Sequence, residues 1–579
     1  MIPNRLTDVV AICLRDPALA ARYAARLAHG DGWDVVAPHP SWVMVTRPLG
    51  TGTVPDRTPL VLEGWPDLVR WQGSAEAGHA ALARAVDQRR WADVPGDVGF
   101  LHVAVDGTAV AARAPAGRIP LYVHGFADGV VLSTRLDRLL CLRPEWPWQI
   151  DGLVLHNWAG WTGVSPRGRT TIRGVSLVPQ GHTVHLAPGD RIPRVPQRFW
   201  DPRPDAIPRR SDAGEYGERL RALVLRHLED ELDPGGANLL ALSGGVDSST
   251  LAVAAHVLVG RRYQAVSNVP VNPVDRSLEE RYLGIVARLA PPVGHVRYAW
   301  TPEEDLRVFS DGPPVGLPVI HPVLLKLGEL QRRMPSVAYF GGEWGDASCG
   351  AKVTLGDWLA HAPFTDLVRY HAGLPIGEKA IARAIARRLA RRRPLPDQSA
   401  LPTGVPDSAA PAIRQEYAEW RADAERAFRA DRRPLSRIAQ EREMDYWLLQ
   451  NWEVCSALGV RRLTPFFQRE IVELVLSASP SALLGPRTKQ PLRRAFADVV
   501  PHEVLFRKKG VWPHEPEARD APWLEDLPAE LSGVVRDDWL PRPPLALPFG
   551  ERLALAGYSG YARQLRALRR EAQTTKGPG

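Results

Sequence analysis

Apolar residues in the middle of the chain fall into short runs that alternate with longer segments. A continuous apolar run begins at residue 239, and short predicted strands follow at 263–267 and 337–340. Between them, residues 250–259 are mostly apolar, and residues 278–290 have the spacing of a helix with one buried face. This alternation predicts a parallel, doubly wound sheet that binds ligands at the carboxyl ends of its strands.

The first third of the chain has a different pattern, in which Gly, Pro and Asp separate short apolar or alternating runs. The runs cover residues 9–14, 42–46, 99–105, 119–123 and 130–134. This pattern is typical of an antiparallel sandwich. The sequence therefore predicts an α/β protein with two domains that differ in sheet type.

Composition predicts the domain boundaries. Residues 201–212 are rich in Pro, Arg and Asp and are expected to link an N-terminal domain, residues 1–200, to a C-terminal domain, residues 213–565. Within the second domain, the Arg-, Ala- and Pro-rich residues 354–436 predict an insertion. Residues 566–579 are expected to form a frayed tail.

The apolar run that begins at residue 239 leads into Ser-Gly-Gly-Val-Asp-Ser-Ser and then into a predicted helix. The two glycines leave backbone N–H groups open to a phosphate, and the serines add hydroxyl donors. A carboxylate in such a loop is explained if it holds Mg²⁺ against the phosphate oxygens, which is the role expected of Asp247. Residues expected to bind ATP here are Leu242, Ser243, Gly244, Gly245, Asp247, Ser248 and Ser249.

This loop lacks the Gly-Lys-Ser/Thr ending of a Walker A loop and resembles the PP-loop of the ATP pyrophosphatases. The resemblance implies cleavage of ATP between its α and β phosphates and transfer of AMP to the substrate. Val266 and Ser267, which end the next predicted strand, are expected to lie beside the adenine.

The segment Gly341–Ala347, Gly-Gly-Glu-Trp-Gly-Asp-Ala, resembles the Ser-Gly-Glu-Gly-Ser-Asp-Glu signature of asparagine synthetases. The resemblance implies that Asp346 is a second magnesium ligand, that Gly342 borders the nucleotide and that Glu343 is a catalytic acid. It is partial, because Trp344 and Gly345 replace a glycine and a serine.

Two later segments continue this resemblance. Residues 489–511 are similar to the family's run of Lys, Leu-Arg, Leu-Pro and Arg-x-Lys, which implies that Lys509 stabilises the charged intermediates. Residues 443–468 resemble the segment that ends in Arg-x-Pro-Phe-Leu-Asp, and there Glu443 is a candidate acid for an incoming amine. Arg461-Arg462-Leu463 replaces the family's Glu-Ala-Arg, which argues against free aspartate as the substrate.

The N-terminal domain resembles the glutaminase (Ntn-type) domain of asparagine synthetases, through residues 116–122, 133–136 and 173–181. Such glutaminases use a cysteine immediately after the initiator methionine, but residue 2 here is Ile2. Cys13, in an apolar run, is interpreted as a core residue. We therefore expect an inactive glutaminase domain and an amine that comes from the acylated substrate itself.

Two ring-closing families share this architecture, the β-lactam synthetases and the macrolactam synthetases of lasso peptides. β-Lactam synthetases have a tyrosine at the position of Glu343, which favours the lasso family. That resemblance implies a linear core peptide as substrate, with a leader-binding protein and a leader peptidase as candidate partners. Alternatives are a β-lactam or other small-molecule amide synthetase, an asparagine synthetase using free ammonia, a nucleotide-binding protein without turnover and a tRNA-modifying ATP pyrophosphatase.

Composition adds looser limits. Four widely spaced cysteines give neither a zinc pattern nor a disulfide framework. The first residues do not resemble a signal peptide and no apolar run approaches about 18–20 residues, so a cytoplasmic protein without membrane contact is expected. The net charge is +8, but the basic residues 386–393 fit the solvated face of an amphipathic helix, and nucleic-acid binding is not expected.

Overall fold

The computed structural model of the chain describes both domains with gaps. The described residues are 7–28, 33–48, 59–63, 65–90, 93–94, 97–143, 146–151, 153–154, 168–191, 194–200, 213–270, 273–299, 338–349, 411–430, 452, 455–456, 460–478, 480–483, 488–507, 532–533, 559, 562–563, 565–567 and 570. The predicted linker 201–212 lies outside them, as do most of the predicted insertion and tail.

The N-terminal domain contains two antiparallel sheets. The first has the strand order β2-β3-β1-β8-β7-β9, and the second has the order β11-β10-β6-β5-β4. Their strands are β1 (Thr7–Leu14), β2 (Asp34–His39), β3 (Trp42–Pro48), β4 (Leu60–Glu63), β5 (Gly99–Val103), β6 (Ala109–Arg113), β7 (Tyr122–Phe126), β8 (Gly129–Ser133), β9 (Ser176–Leu177), β10 (His182–Leu186) and β11 (Gln197–Arg198).

Alternation along the strands separates the layers of this domain. On β1, Val9 and Ala11 lie in an apolar cluster shared with the second sheet, whereas Val10 and Ile12 contact the cluster that contains helices α1 and α4. The helices are α1 (Pro17–Ala28), α2 (Trp65–Gln72), α3 (Ala75–Asp87) and α4 (Leu136–Leu142). The predicted sandwich is therefore present, with helices packed on its outer faces.

The C-terminal domain contains a five-stranded parallel sheet with the order β14-β13-β12-β15-β16. Its strands are β12 (Asn238–Ala241), β13 (Gln264–Val269), β14 (His295–Ala299), β15 (Ala338–Phe340) and β16 (Arg461–Leu463). The helices are α5 (Ala213–Glu231), α6 (Val246–Val253), α7 (Pro273–Leu289), α8 (Gly345–Ser348), α9 (Pro411–Ala430), α10 (Arg469–Ser477), α11 (Pro480–Leu483), α12 (Gln490–Ala495) and α13 (His502–Leu505).

Both faces of this sheet are covered, as the apolar runs predict. Leu240 and Phe340 belong to the cluster that contains α5, α6 and α10, while Leu239 and Tyr339 belong to a second cluster with Ile413 of α9. The chain proceeds from β12 to β13 and β14 on one side, and β15 and β16 lie on the other. The switch point, where such sheets bind ligands, is therefore between β12 and β15.

Several boundaries differ from the sequence prediction. The strand expected at 119–123 is Tyr122–Phe126, because its register is set by antiparallel pairing with β8. The helix expected at 250–259 begins at Val246 and ends in a π-helical turn, Ala254–Leu258. β14 and β16 are additional strands that the apolar pattern did not predict, because three of their eight residues are arginines.

Candidate active site

The loop between β12 and α6 has the predicted strand, loop and helix order. Gly245 is the N-cap of α6 and makes no side-chain cap bond, so the positive end of this eight-residue helix faces the loop. Ser248 closes the loop internally, because its Oγ accepts from the Ser243 N–H at 3.0 Å and lies 3.1 Å from Ser243 Oγ. Hydrogen bonds within the loop therefore help to set its shape.

Arg507 fixes the orientation of the Gly244 peptide. Its Nη1 donates to the Gly244 carbonyl oxygen at 2.6 Å, and its guanidinium forms an ion pair with Glu279 of α7, with an Nη2–Oε1 distance of 2.6 Å. The guanidinium also lies 4.6 Å from the ring centroid of Tyr282. Because the C=O and N–H of a peptide point in opposite directions, this contact turns the following N–H, that of Gly245, away from Arg507.

The loop after β15 brings a second acid to the first. A Cβ on Gly342 would lie 2.7 Å from Asp247 Cβ, and one on Gly345 would overlap the Asp247 carboxylate, so both glycines are needed for this close approach. Trp344 between them has a left-handed backbone, with φ 71°, and its ring packs 4.4 Å from that of Phe467. Of the two altered positions, Gly345 thus packs against Asp247, whereas Trp344 packs against Phe467.

Lys489 joins the two predicted magnesium ligands. Its Nζ contacts Asp247 Oδ2 and lies 2.7 Å from Asp346 Oδ1. Burial lowers the pKa of Lys489, but the two carboxylates more than offset this and hold the pKa above its ordinary value. The residue precedes α12 and was part of the resemblance at 489–511, although the sequence assigned it no role.

The acids fit a single Mg²⁺. One cationic atom, Lys489 Nζ, already reaches both carboxylates, so they are close enough to share one cation. No cluster of three or more His, Cys, Asp or Glu side chains suited to a metal occurs among the described residues. Mg²⁺ bound with a nucleotide needs only one or two carboxylates, because the phosphates supply the other oxygens.

Glu343 lies in the same loop and is paired with Arg462 of β16. Arg462 Nη2 is 2.9 Å from Glu343 Oε1, and its guanidinium lies 5.5 Å from the ring centroid of Tyr339. Glu343 Oε2 is buried and accepts no hydrogen bond from the part of the chain that the structure describes. The arginine that departs from the family pattern therefore holds one oxygen of the predicted catalytic acid, while the other is buried and has no hydrogen-bond partner among the described residues.

Register explains why the neighbouring arginines behave differently. Successive residues of β16 point to opposite faces of the sheet, so Arg461 and Leu463 share a face that Arg462 does not. Arg461 pairs with Glu231 of α5 at 2.9 Å, and Leu463 joins the apolar cluster beneath the loops. Only Arg462 reaches the site.

The N-terminal domain contacts this strand directly. Arg118 Nη1 donates to the Arg462 carbonyl oxygen at 3.4 Å, and its backbone N–H donates to the buried Glu63. Asp97 accepts from the Arg469 N–H at 2.8 Å and so caps α10, whose own N-cap residue, Gln468, makes no side-chain capping bond. The domain predicted to be an inactive glutaminase thus supports the elements behind the site.

The predicted strand end at Val266 and Ser267 needs correction, while their predicted contact with the adenine stays a prediction. β13 continues to Val269, so Val266 and Ser267 lie inside the strand rather than at its end. Ser267 is buried and its hydroxyl donates to the Leu242 carbonyl oxygen at 2.5 Å, while His295 Nε2 lies 2.7 Å from Ser267 Oγ. Since the hydroxyl has one proton, His295 must be the donor, and burial lowers the pKa of this histidine to about 4. The Ser267 side chain is therefore engaged inside the fold.

Three sequence-predicted residues cannot be placed. Lys509 and Glu443 lie outside the described residues, and so does Ile2. Cys13 is buried, and burial raises its pKa to about 11, as expected for a core thiol rather than a nucleophile. No helix in the described segments is long and apolar enough to cross a membrane.

A parallel sheet with an anion-binding loop and two acids at its switch point defines a nucleotide-binding α/β protein. Comparison with protein-family models adds a match to asparagine synthase over residues 217–532, which is more than half of the chain. The chain belongs to the asparagine synthase family. No curated protein gives a significant match. Family membership implies ATP-dependent amide bond formation, so the chain is an amide synthetase.

Proposed function

We propose that this amide synthetase closes a macrolactam in lasso peptide biosynthesis, joining an Asp or Glu side chain of a linear core peptide to the peptide's own α-amine. The observation that carries this proposal is the Glu343–Arg462 pair. Arg462 binds Glu343 Oε1, and the buried Oε2 accepts no hydrogen bond within the described structure. A buried carboxylate oxygen of this kind suits the N–H of an amine, since burial without a partner is costly.

The source of the amine supports the same proposal. Residue 2 is isoleucine and Cys13 is a buried thiol, so neither is expected to release ammonia from glutamine. An amine carried by the substrate needs no ammonia supply. A peptide α-amine has a reference pKa of about 7.7–8.0, so roughly a tenth to a fifth of it is neutral at pH 7.

The reaction has two steps. The substrate carboxylate displaces pyrophosphate from the α-phosphorus of ATP, and the backbone N–H groups and serines of the 243–249 loop bind the departing phosphates. Asp247 and Asp346 would hold Mg²⁺, which neutralises phosphate charge. The α-amine then attacks the acyl adenylate, AMP leaves, and the amine's proton passes to Glu343. By resemblance, Lys509 stabilises the negative charge, and Glu443 is a further acid near the amine.

The direct test combines the purified chain, Mg·ATP and a linear peptide with a free α-amine and an acidic residue seven to nine positions along. AMP is followed by chromatography and the peptide by mass. The expected result is one AMP for each peptide that loses one water. A peptide whose α-amine is acetylated should lose no water. A peptide whose acidic residue is replaced by the corresponding amide should neither lose water nor release AMP.

Other outcomes assign other substrates. AMP formation that requires small amino acids and ignores the peptide would replace the proposal with a small-molecule amide synthetase, and asparagine formed from aspartate and ammonium would indicate asparagine synthesis. RNA-dependent AMP release would indicate a tRNA-modifying enzyme. Comparing the core peptide with a leader-bearing precursor, with and without a leader-binding protein and a peptidase, tests the proposed partners.

A further inference from the structure

Lys489 combines an unfavourable backbone conformation with a largely buried ammonium group. Its backbone is left-handed, with φ 61°, a conformation that is unfavourable for a residue with a Cβ. Its side chain is 11% exposed and ends between Asp247 and Asp346. The surrounding structure therefore directs this ammonium into the acid pair.

We propose that the Lys489 ammonium is a built-in counter-ion that fills the cation position between Asp247 and Asp346 until a magnesium–nucleotide complex displaces it. A free divalent ion would have to compete with a cation attached to the protein. A metal that arrives with a polyphosphate also brings new anionic oxygens for the displaced ammonium. Metal and nucleotide should therefore bind together. The inference rests on the magnesium site included in the proposed function.

The glycines next to the acids explain why a counter-ion is needed. Gly342 and Gly345 pack directly against Asp247, so its carboxylate cannot retreat from the site when no metal is bound. Two carboxylates held together repel each other in a partly buried site. The ammonium removes this repulsion and keeps the acids in place.

The test measures Mn²⁺ binding to the full chain by the electron paramagnetic resonance signal of free Mn²⁺, with and without α,β-methylene-ATP, after correction for the Mn²⁺ that the analogue binds in the absence of protein. The wild-type chain should bind Mn²⁺ weakly alone and much more tightly with the nucleotide analogue. Lys489→Gln should bind Mn²⁺ alone about ten- to a hundredfold more tightly than wild type, because a positive charge has left the acids. The difference in Mn²⁺ affinity with and without the analogue should therefore be smaller in Lys489→Gln than in wild type.

Arg494→Gln is the matched control, because it removes one positive charge at an exposed position of α12, the helix that Lys489 precedes. It should retain the wild-type nucleotide dependence. An unchanged Mn²⁺ affinity in Lys489→Gln would overturn the proposal. An equal Mn²⁺ affinity of the wild-type chain with and without the analogue would also overturn it, and that measurement needs no variant. If no form of the protein binds Mn²⁺ even with the analogue, the magnesium site of the proposed function fails as well, and the two failures are thereby distinguished.

Discussion

Charged groups in the antiparallel and parallel halves of the molecule are satisfied in different ways. In the N-terminal sandwich, Arg113 donates to the carbonyls of Val178 and Gly117, each at 3.0 Å, and Glu63 accepts from the Arg118 backbone. In the C-terminal site, the charges of Asp247 and Asp346 meet on a single lysine at the open edge of a sheet. The first set completes the fold, whereas the second set can exchange its partner for a ligand.

The difference follows from the sheets themselves. Antiparallel strands joined by tight turns place side chains between layers, where a polar group must find a fixed partner. Parallel strands end together at one edge, and the loops that follow them converge there without closing over one another. Substitutions in the two regions should therefore affect different measurements, stability in one and AMP formation in the other.

The largest effect is expected at Asp247. Asp247→Asn keeps the shape of the side chain but removes the charge that would hold Mg²⁺, so substrate-dependent AMP formation should fall by about 10²- to 10³-fold. The unfolding midpoint should change little. Asp498→Asn, which alters an acid that is 57% exposed and paired with Arg221, is the control and should retain full activity. A normal rate in Asp247→Asn would remove this acid from the site.

Substitution of Arg118 should lower the stability of the protein. Arg118→Met removes one of the cations beside the buried Glu63, 3.9 Å away, and a donor to β16, so the free energy of unfolding should fall by about 3 kcal/mol. Denaturant unfolding measures this change, and Arg90→Met, at an exposed residue, should have no effect. Adding Glu63→Gln to Arg118→Met should restore part of the loss. Equal stability of Arg118→Met and wild type would contradict this role.

The pH dependence of stability tests Asp97. Burial raises the pKa of Asp97 from its ordinary 3.8 to about 7, so the folded protein binds this proton more tightly than the unfolded chain does. Stability from this group is full below pH 4 and is lost as the pH rises through 7, by about 2 kcal/mol between pH 5 and 8.

Asp97→Asn should therefore reduce the fall in unfolding free energy between pH 5 and 8 by that amount. Burial also raises the pKa of Glu63 to about 7, so the slope should not vanish. Burial lowers the pKa of His227 from 6.5 to about 3. This histidine makes the free energy of unfolding rise with pH between those two values, whereas Asp97 makes it fall. Urea unfolding at four pH values gives the slopes, and identical slopes would exclude Asp97 as their source.

A smaller effect is expected at Arg507. Arg507→Met releases the Gly244 carbonyl and Glu279, so the KM for ATP should rise about tenfold through loss of a charge-assisted hydrogen bond, while the fold remains intact. Arg281→Met, on α7 near Glu279 but 65% exposed, should leave the KM unchanged. If Arg507→Met had the wild-type KM, the loop would keep its shape without this contact.

Much of this architecture was predictable from the sequence because its signals are local. The apolar run before Ser243, the two glycines and the following helix specify a strand, an anion-binding loop and a helix within a dozen residues. The alternating runs of the first third likewise predicted an antiparallel sandwich. β16 escaped prediction because two of its three residues are arginines whose burial depends on partners in other segments.

The sequence by itself determined the types of element, the loop chemistry and the acids at 247 and 346, since each depends on neighbouring residues. Only the tertiary structure decided that Lys489 meets an acid 242 positions earlier, that Arg462 rather than Arg461 reaches Glu343 and that Ser267 is engaged inside the fold. These contacts depend on strand register and on loops that meet at one edge. A shift of one residue along β16 would turn a different arginine toward the site.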